Sequence, residues 1–133
     1  ELSLQKELES ALTVLNKVEV SDSPYFQFFY AMRKSVVLED LKKYQEALVE
    51  LQALPETSKK LLEGKIYLDM GRLQLKLGDK AGARINFEYL RTKIVQDEFS
   101  KMAKFHLYQL DKESSATQVA PEVVPEAKNS EAK

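Results

Sequence analysis

This 133-residue sequence predicts an all-α fold, a stack of about six helices laid as antiparallel pairs over residues 1–112, followed by a disordered tail over 113–133. Three observations carry that expectation. The triplet Ala11, Leu15, Val18 returns as Ala47, Leu51, Leu54 and again as Ala83, Phe87, Leu90, a repeat of 36 residues. A repeat of this size is one supersecondary unit that buries its apolar face only against its neighbours. Apolar residues between the repeats recur at three- and four-residue steps, the period of an amphipathic helix. The composition, 44% hydrophobic and 31% charged, suits one modest core under a solvated helical surface.

Leu4, Leu8, Ala11, Leu12, Leu15 and Val18 form one stripe, so a first helix is expected over residues 3–18. Ser23-Pro24 starts the second: a serine oxygen accepts from otherwise unpaired amides, and proline's missing donor costs nothing at the first helical position. That helix runs to about Asp40. A third, from Lys43, carries Ala47, Leu48, Leu51 and Leu54 and stops against Pro55, which disfavours helical geometry in the residue before it.

Thr57 or Ser58 is expected to cap a fourth helix reaching Leu77, closed by Gly78. Leu62, Ile66, Met70, Leu73 and Leu77 make one apolar stripe on it, and Leu61, Leu68 and Leu75 a second. A rod apolar on two sides sits between neighbours. Gly64 and Gly71, each costing about 1 kcal/mol against alanine inside a helix, point to close approach of another helix. Asp79 begins a fifth helix with Ala83, Phe87, Leu90 and Ile94. Asp97 is expected to cap a sixth, anchored by Met102, Phe105 and Tyr108 and ending near Lys112. Beyond it Pro121 and Pro125 are expected to forbid helix longer than a turn.

Several functions are excluded or left without support. Twenty basic and twenty-one acidic residues leave a net charge of −1, without the basic footprint of a nucleic-acid binder. The absence of cysteine removes a disulfide framework and a thiol nucleophile. No run approaches a membrane span, and the start on Glu1 reads as an excised or processed piece with any targeting segment upstream. His106 is the single histidine, without metal-spaced carboxylates or a phosphate-binding loop, so no enzyme, metal or cofactor is expected. Glu39 and Asp40, adjacent at a helix end, read as a solvated turn.

Tyr67, Met70, Gly71, Gly78, Asp79, Ala83, Phe87 and Leu90 fall where the tetratricopeptide repeat has its aromatic, leucine-glycine, turn, alanine, aromatic and alanine positions. The chain resembles that family over about residues 3–112. The middle copy keeps Ser35, Leu38, Tyr44, Ala47 and Pro55, and the first only its second helix. The stretch Leu68 to Arg84, with Gly78 to Arg84 the nearest match, is similar to the last repeat of bacterial ancillary Sec translocon subunits. That resemblance implies a periplasmic domain tethered to the inner membrane through a segment not present here, working beside the translocon and periplasmic chaperones. A cytoplasmic location stays open.

In stacks of this family the first helices of successive pairs line a concave wall. The resemblance places there Phe29, Met32, Arg33 and Val36; then Lys65, Leu68, Asp69, Arg72 and Leu75; then Lys101, Lys104, Phe105 and Tyr108. Met32, Leu68, Phe105 and Tyr108 are expected as apolar anchors, and Arg33, Lys65, Arg72 and Lys101 as cations steering an acidic protein or peptide. Each apolar position has a second reading, packing against the next helix. Asp69 would oppose a peptide carboxylate, so capture of an acidic chain terminus is disfavoured. Five aromatics within residues 25–30, Tyr25, Phe26, Phe28, Phe29 and Tyr30, exceed what one helix face buries, so part is expected to meet an upstream segment or another copy. The function expected is a non-enzymatic protein-interaction module. The alternatives are a self-assembling, homo-oligomeric repeat and a repeat domain of an envelope-assembly lipoprotein or larger enzyme.

Overall fold

The computed structural model describes residues 2–19, 21–93 and 98–126, with side chains from Ser3 to Ser115 within those ranges. Among them there is helix and no strand. Helix α1 spans Leu2–Asn16, α2 Pro24–Asp40, α3 Tyr44–Gln52, a one-turn α4 Glu56–Lys59, α5 Glu63–Lys76, α6 Lys80–Lys93 and α7 Glu98–Glu126. Two pairs repeat the same arrangement, α2 with α3 and α5 with α6, and in each the 36-residue triplet lies on the second helix. By that register α1 is a second helix, and α7 packs as a first helix.

The signals at the ends act as expected. The Ser23 hydroxyl accepts from the Phe26 amide at 3.4 Å, and Pro24 opens α2. Gly78 closes α5 at φ 81°, a left-handed conformation that glycine adopts without a side-chain clash. Asp79 Oδ1 accepts the Gly82 amide at 2.9 Å and starts α6.

The expected fourth helix is not continuous. Neither Thr57 nor Ser58 caps it, because the buried Ser58 hydroxyl lies 3.0 Å from the Pro24 carbonyl and 3.1 Å from Gln27 Oε1, fastening α4 to the start of α2. A 3-10 turn at Lys60–Leu62 follows, and Leu62 at φ −150°, ψ 66° breaks the rod before α5. Leu61 and Leu62 stay exposed, so the stripes expected through them begin only at Ile66 and Leu68.

The core is two clusters that share α5. Ile66, Met70 and Leu73 pack with Phe28, Ala31 and Leu38 of α2 and with Ala47, Leu48 and Leu51 of α3. Leu68, on the other side of the rod, packs with Ala83, Phe87 and Leu90 of α6 and Ala103, Leu107 and Leu110 of α7. Burial of these aliphatic and aromatic groups is the main stabilising contribution, about 25 cal/mol per Å² of apolar surface. Ala47 and Ala83 are fully buried, the gap between rods that the repeat reserves for a small residue. In the first copy Ala11 and Leu15 are half-buried and Val18 is exposed, since no described helix lies on that side of α1.

One expectation for α7 is corrected. Its anchors are Ala103, Leu107 and Leu110, whereas Met102, Phe105 and Tyr108 are exposed. The described part of α7 continues past Lys112 to Glu126. Expectations on Ile94, Asp97 and residues 127–133 lie outside the described residues.

Candidate protein-binding faces

Homologous positions of the first helices define one face. Phe29, Arg33 and Val36 on α2 recur 36 residues later as Lys65, Asp69 and Arg72 on α5. On α7 the offset is 37, fixed by packing: Ala103, Leu107 and Leu110 bury on α6 as Ile66, Met70 and Leu73 bury on α3. The α7 members of this face are therefore Met102, His106 and Gln109.

The α5 section of the face is held by ion pairs. Arg72 donates from Nη1 to Glu39 Oε2 at 2.9 Å and from Nη2 to Glu39 Oε1 at 3.1 Å, a two-bonded fork from α5 to the end of α2. Its Nη2 also donates to Asp69 Oδ1 at 3.2 Å, Lys65 donates to Asp69 Oδ2 at 2.8 Å, and Lys76 donates to Glu39 Oε2 at 3.1 Å. The Arg72 bonds hold the Glu39 carboxyl below its usual range, and the same bonds raise the already high Arg72 value. Arg72 is thus a latch between pairs, not a free steering cation, and its truncation is expected to loosen the stack. Lys65 is likewise committed to Asp69. Glu39, expected as a solvated turn, is the residue the sequence reading missed, and its two-cation environment has no local sequence signal.

The remaining expected residues divide by place. Leu68 is buried in the second core cluster and is no docking anchor, because its side of α5 is covered by α6 and α7. Leu75 packs against the same cluster and Met32 against the first. Phe29 is 65% exposed; with Met32, Arg33 and Val36 it lines a shallow hollow of about 280 Å³. Arg33 is exposed and makes no ion pair with a described residue. Lys101, Phe105 and Tyr108 do not join this hollow. They occupy, on α7, the positions that Gly64, Leu68 and Gly71 occupy on α5, facing outward from the last described pair.

The aromatic cluster divides three ways. Phe28 is core; Phe26 and Tyr30 are half-buried and stacked at 6.1 Å, with the Tyr30 hydroxyl donating to the Leu15 carbonyl at 2.8 Å; Tyr25 and Phe29 are exposed. A second aromatic pair, Tyr67 and Tyr89, stacks at 4.3 Å between α5 and α6, and Tyr89 donates to Glu63 at 2.7 Å. That bond, with burial, pushes the Tyr89 phenol up to about 12.

His106 stacks on Phe87 at 4.8 Å with an interplanar angle of 12°. Burial lowers its pKa, and the nearby Arg72 charge adds to the effect. No group of three or more His, Cys, Asp or Glu among the described residues is placed to hold a metal ion, and no described helix is long and apolar enough to cross a membrane. Comparison with protein-family models, with curated proteins and with solved structures gives no match to this chain.

Proposed function

We propose that the chain is a protein-interaction module without catalytic activity, a tetratricopeptide-like stack that docks a protein or peptide segment on the α2 part of its first-helix face. The observation that carries this reading is the hollow formed by Phe29, Met32, Arg33 and Val36: exposed Phe29 and Val36 and half-buried Met32 around an arginine with no ion pair to a described residue. An aromatic and an arginine side by side are the usual anchors of a protein interface, and they fit a partner with an apolar residue next to a carboxylate. The neighbouring section on α5 is stiffened by the Arg72 fork, so docking costs little ordering of the surface beside it.

The resemblance of Leu68 to Arg84 to ancillary Sec translocon subunits supports a partner at the periplasmic side of the bacterial inner membrane, the translocon or an associated chaperone. Site-specific photocrosslinking from position 29 in intact cells tests this. The expected adducts contain a translocon subunit or a periplasmic chaperone, and Arg33→Glu lowers their yield about tenfold with an unchanged melting temperature. Adducts with cytoplasmic proteins alone, or a yield indifferent to Arg33→Glu, overturn it.

A further inference from the structure

The two ends of the stack are complementary. On α5, Leu68 and Gly71 face α6: Leu68 is buried among Ala83, Phe87 and Leu90, and a Cβ placed on Gly71 would overlap the Phe87 ring. The 37-residue offset puts Phe105 and Tyr108 at those positions on α7, where they are 58% and 60% exposed. Among the described residues no second helix covers them. At the other end, α1 carries the second-helix triplet, yet Val14 is 63% exposed and Val18 38%. No described first helix lies against that side of α1. Among the described residues, then, α7 is a first helix without its second and α1 a second helix without its first.

We propose that a second copy of this chain fills the gap, α1 of one molecule docking on the outer face of α7 of the next, in the geometry of α5 with α6. The repeat fixes the register. Leu15 takes the place of Phe87 and Tyr108 that of Gly71, so the aromatic ring of this contact comes from the first helix instead of the second. Val14 takes the place of Asn86, and Glu7 that of Asp79. Glu7 is thereby brought to the carboxyl-terminal part of the α7 face, beside Lys112, whose ammonium lies over the Tyr108 ring at 5.7 Å. The acidic groups of that region are already taken, Asp111 by Arg84 and Glu113 by Lys80, both at 2.9 Å, so the outer face meets Glu7 with a cation. Because the two surfaces differ, the contact is head to tail, and because it continues the stack in the α5–α6 geometry it adds molecules to a growing chain instead of forming a two-fold dimer. This inference does not depend on what occupies the Phe29 hollow.

Sedimentation of the full chain from micromolar to millimolar concentration tests it. The expected result is an average mass that keeps rising with concentration. Phe105→Glu and Val14→Glu, both at exposed positions and checked for unchanged melting, should each be monomeric. Mixed, they should form a one-to-one dimer, because the first keeps a usable α1 and the second a usable α7. A monomer at every concentration, a closed dimer that stops growing, or variants that still assemble would each overturn the proposal. Binding of the monomer to anionic vesicles through α7 instead would make that face a membrane contact and overturn it equally.

Discussion

Gly71 and Phe87 meet where α5 and α6 cross, and the absence of a single methyl group sets how near the helices come. A Cβ on Gly71 would overlap the ring, which is itself fully buried and flanked by His106, so it has no room to retreat. Gly71→Ala is therefore expected to cost about 1–3 kcal/mol by overpacking, in spite of alanine's better helix propensity, and urea unfolding measures it. Arg72 and Glu39 are the second residue-scale device. Because the fork is largely shielded from solvent, a double-mutant cycle of Arg72→Ala and Glu39→Gln should give a coupling of about 1–2 kcal/mol, where an exposed pair gives less than 1. His106 and Glu39 are both shifted downward. His106 is held below its ordinary 6.5, so from that pH downward the unfolded chain takes up a proton that the folded chain refuses, and stability falls. Glu39 is held below its ordinary 4.5, so a further loss follows as pH drops from there through its lowered folded value. Thermal melts across pH 7 to 3 should fall in two stages, His106→Phe removing the upper and Glu39→Gln the lower.

At the scale of the element, the same residue type has different consequences in the three copies. Ala47 on α3 and Ala83 on α6 are wedged between a first helix of their own pair and the next, while among the described residues Ala11 on α1 has a neighbour on one side only. Ala83→Leu is expected to cost about 1–3 kcal/mol, and Ala11→Leu to lie within about 0.5 kcal/mol of the parent, measured by the same unfolding experiment. The alanine spacing was legible in the sequence because it repeats. The break at Leu62 was not, since it follows from Ser58 being fastened to Pro24 and Gln27 of α2, 34 and 31 residues away. In α7 the sequence stripe was misread for a related reason: Met102, Phe105 and Tyr108 are larger than Ala103, Leu107 and Leu110 and recur at comparable helical steps. Size suggested anchors, but the preceding pair selects the smaller set.

For the whole molecule, stability is a sum over neighbouring pairs, so it is greatest at α5, which belongs to both core clusters, and least at α1. Amide hydrogen exchange at low protein concentration should be slowest in α5 and fastest in α1, with α2, α3 and α6 between. Equal protection along the chain would contradict a stack of this kind. At concentrations where copies join end to end, α1 is the helix whose protection should increase.

The sequence by itself determined the helical class, the positions of most helix ends and the pairing rhythm, because caps, prolines and the spacing of apolar residues act over one or two turns and a 36-residue period states which units are equivalent. It also named the residues of the Phe29 hollow. Only the tertiary structure decided which cations are committed, taking Arg72 and Lys65 into ion pairs and leaving Arg33 exposed with none to a described residue, and moved Phe105 and Tyr108 from the shared face to the outer side of α7. Those outcomes depend on which side of a rod its neighbours cover and on partners more than 30 residues away, such as Glu39 for Arg72, and neither is encoded in local spacing.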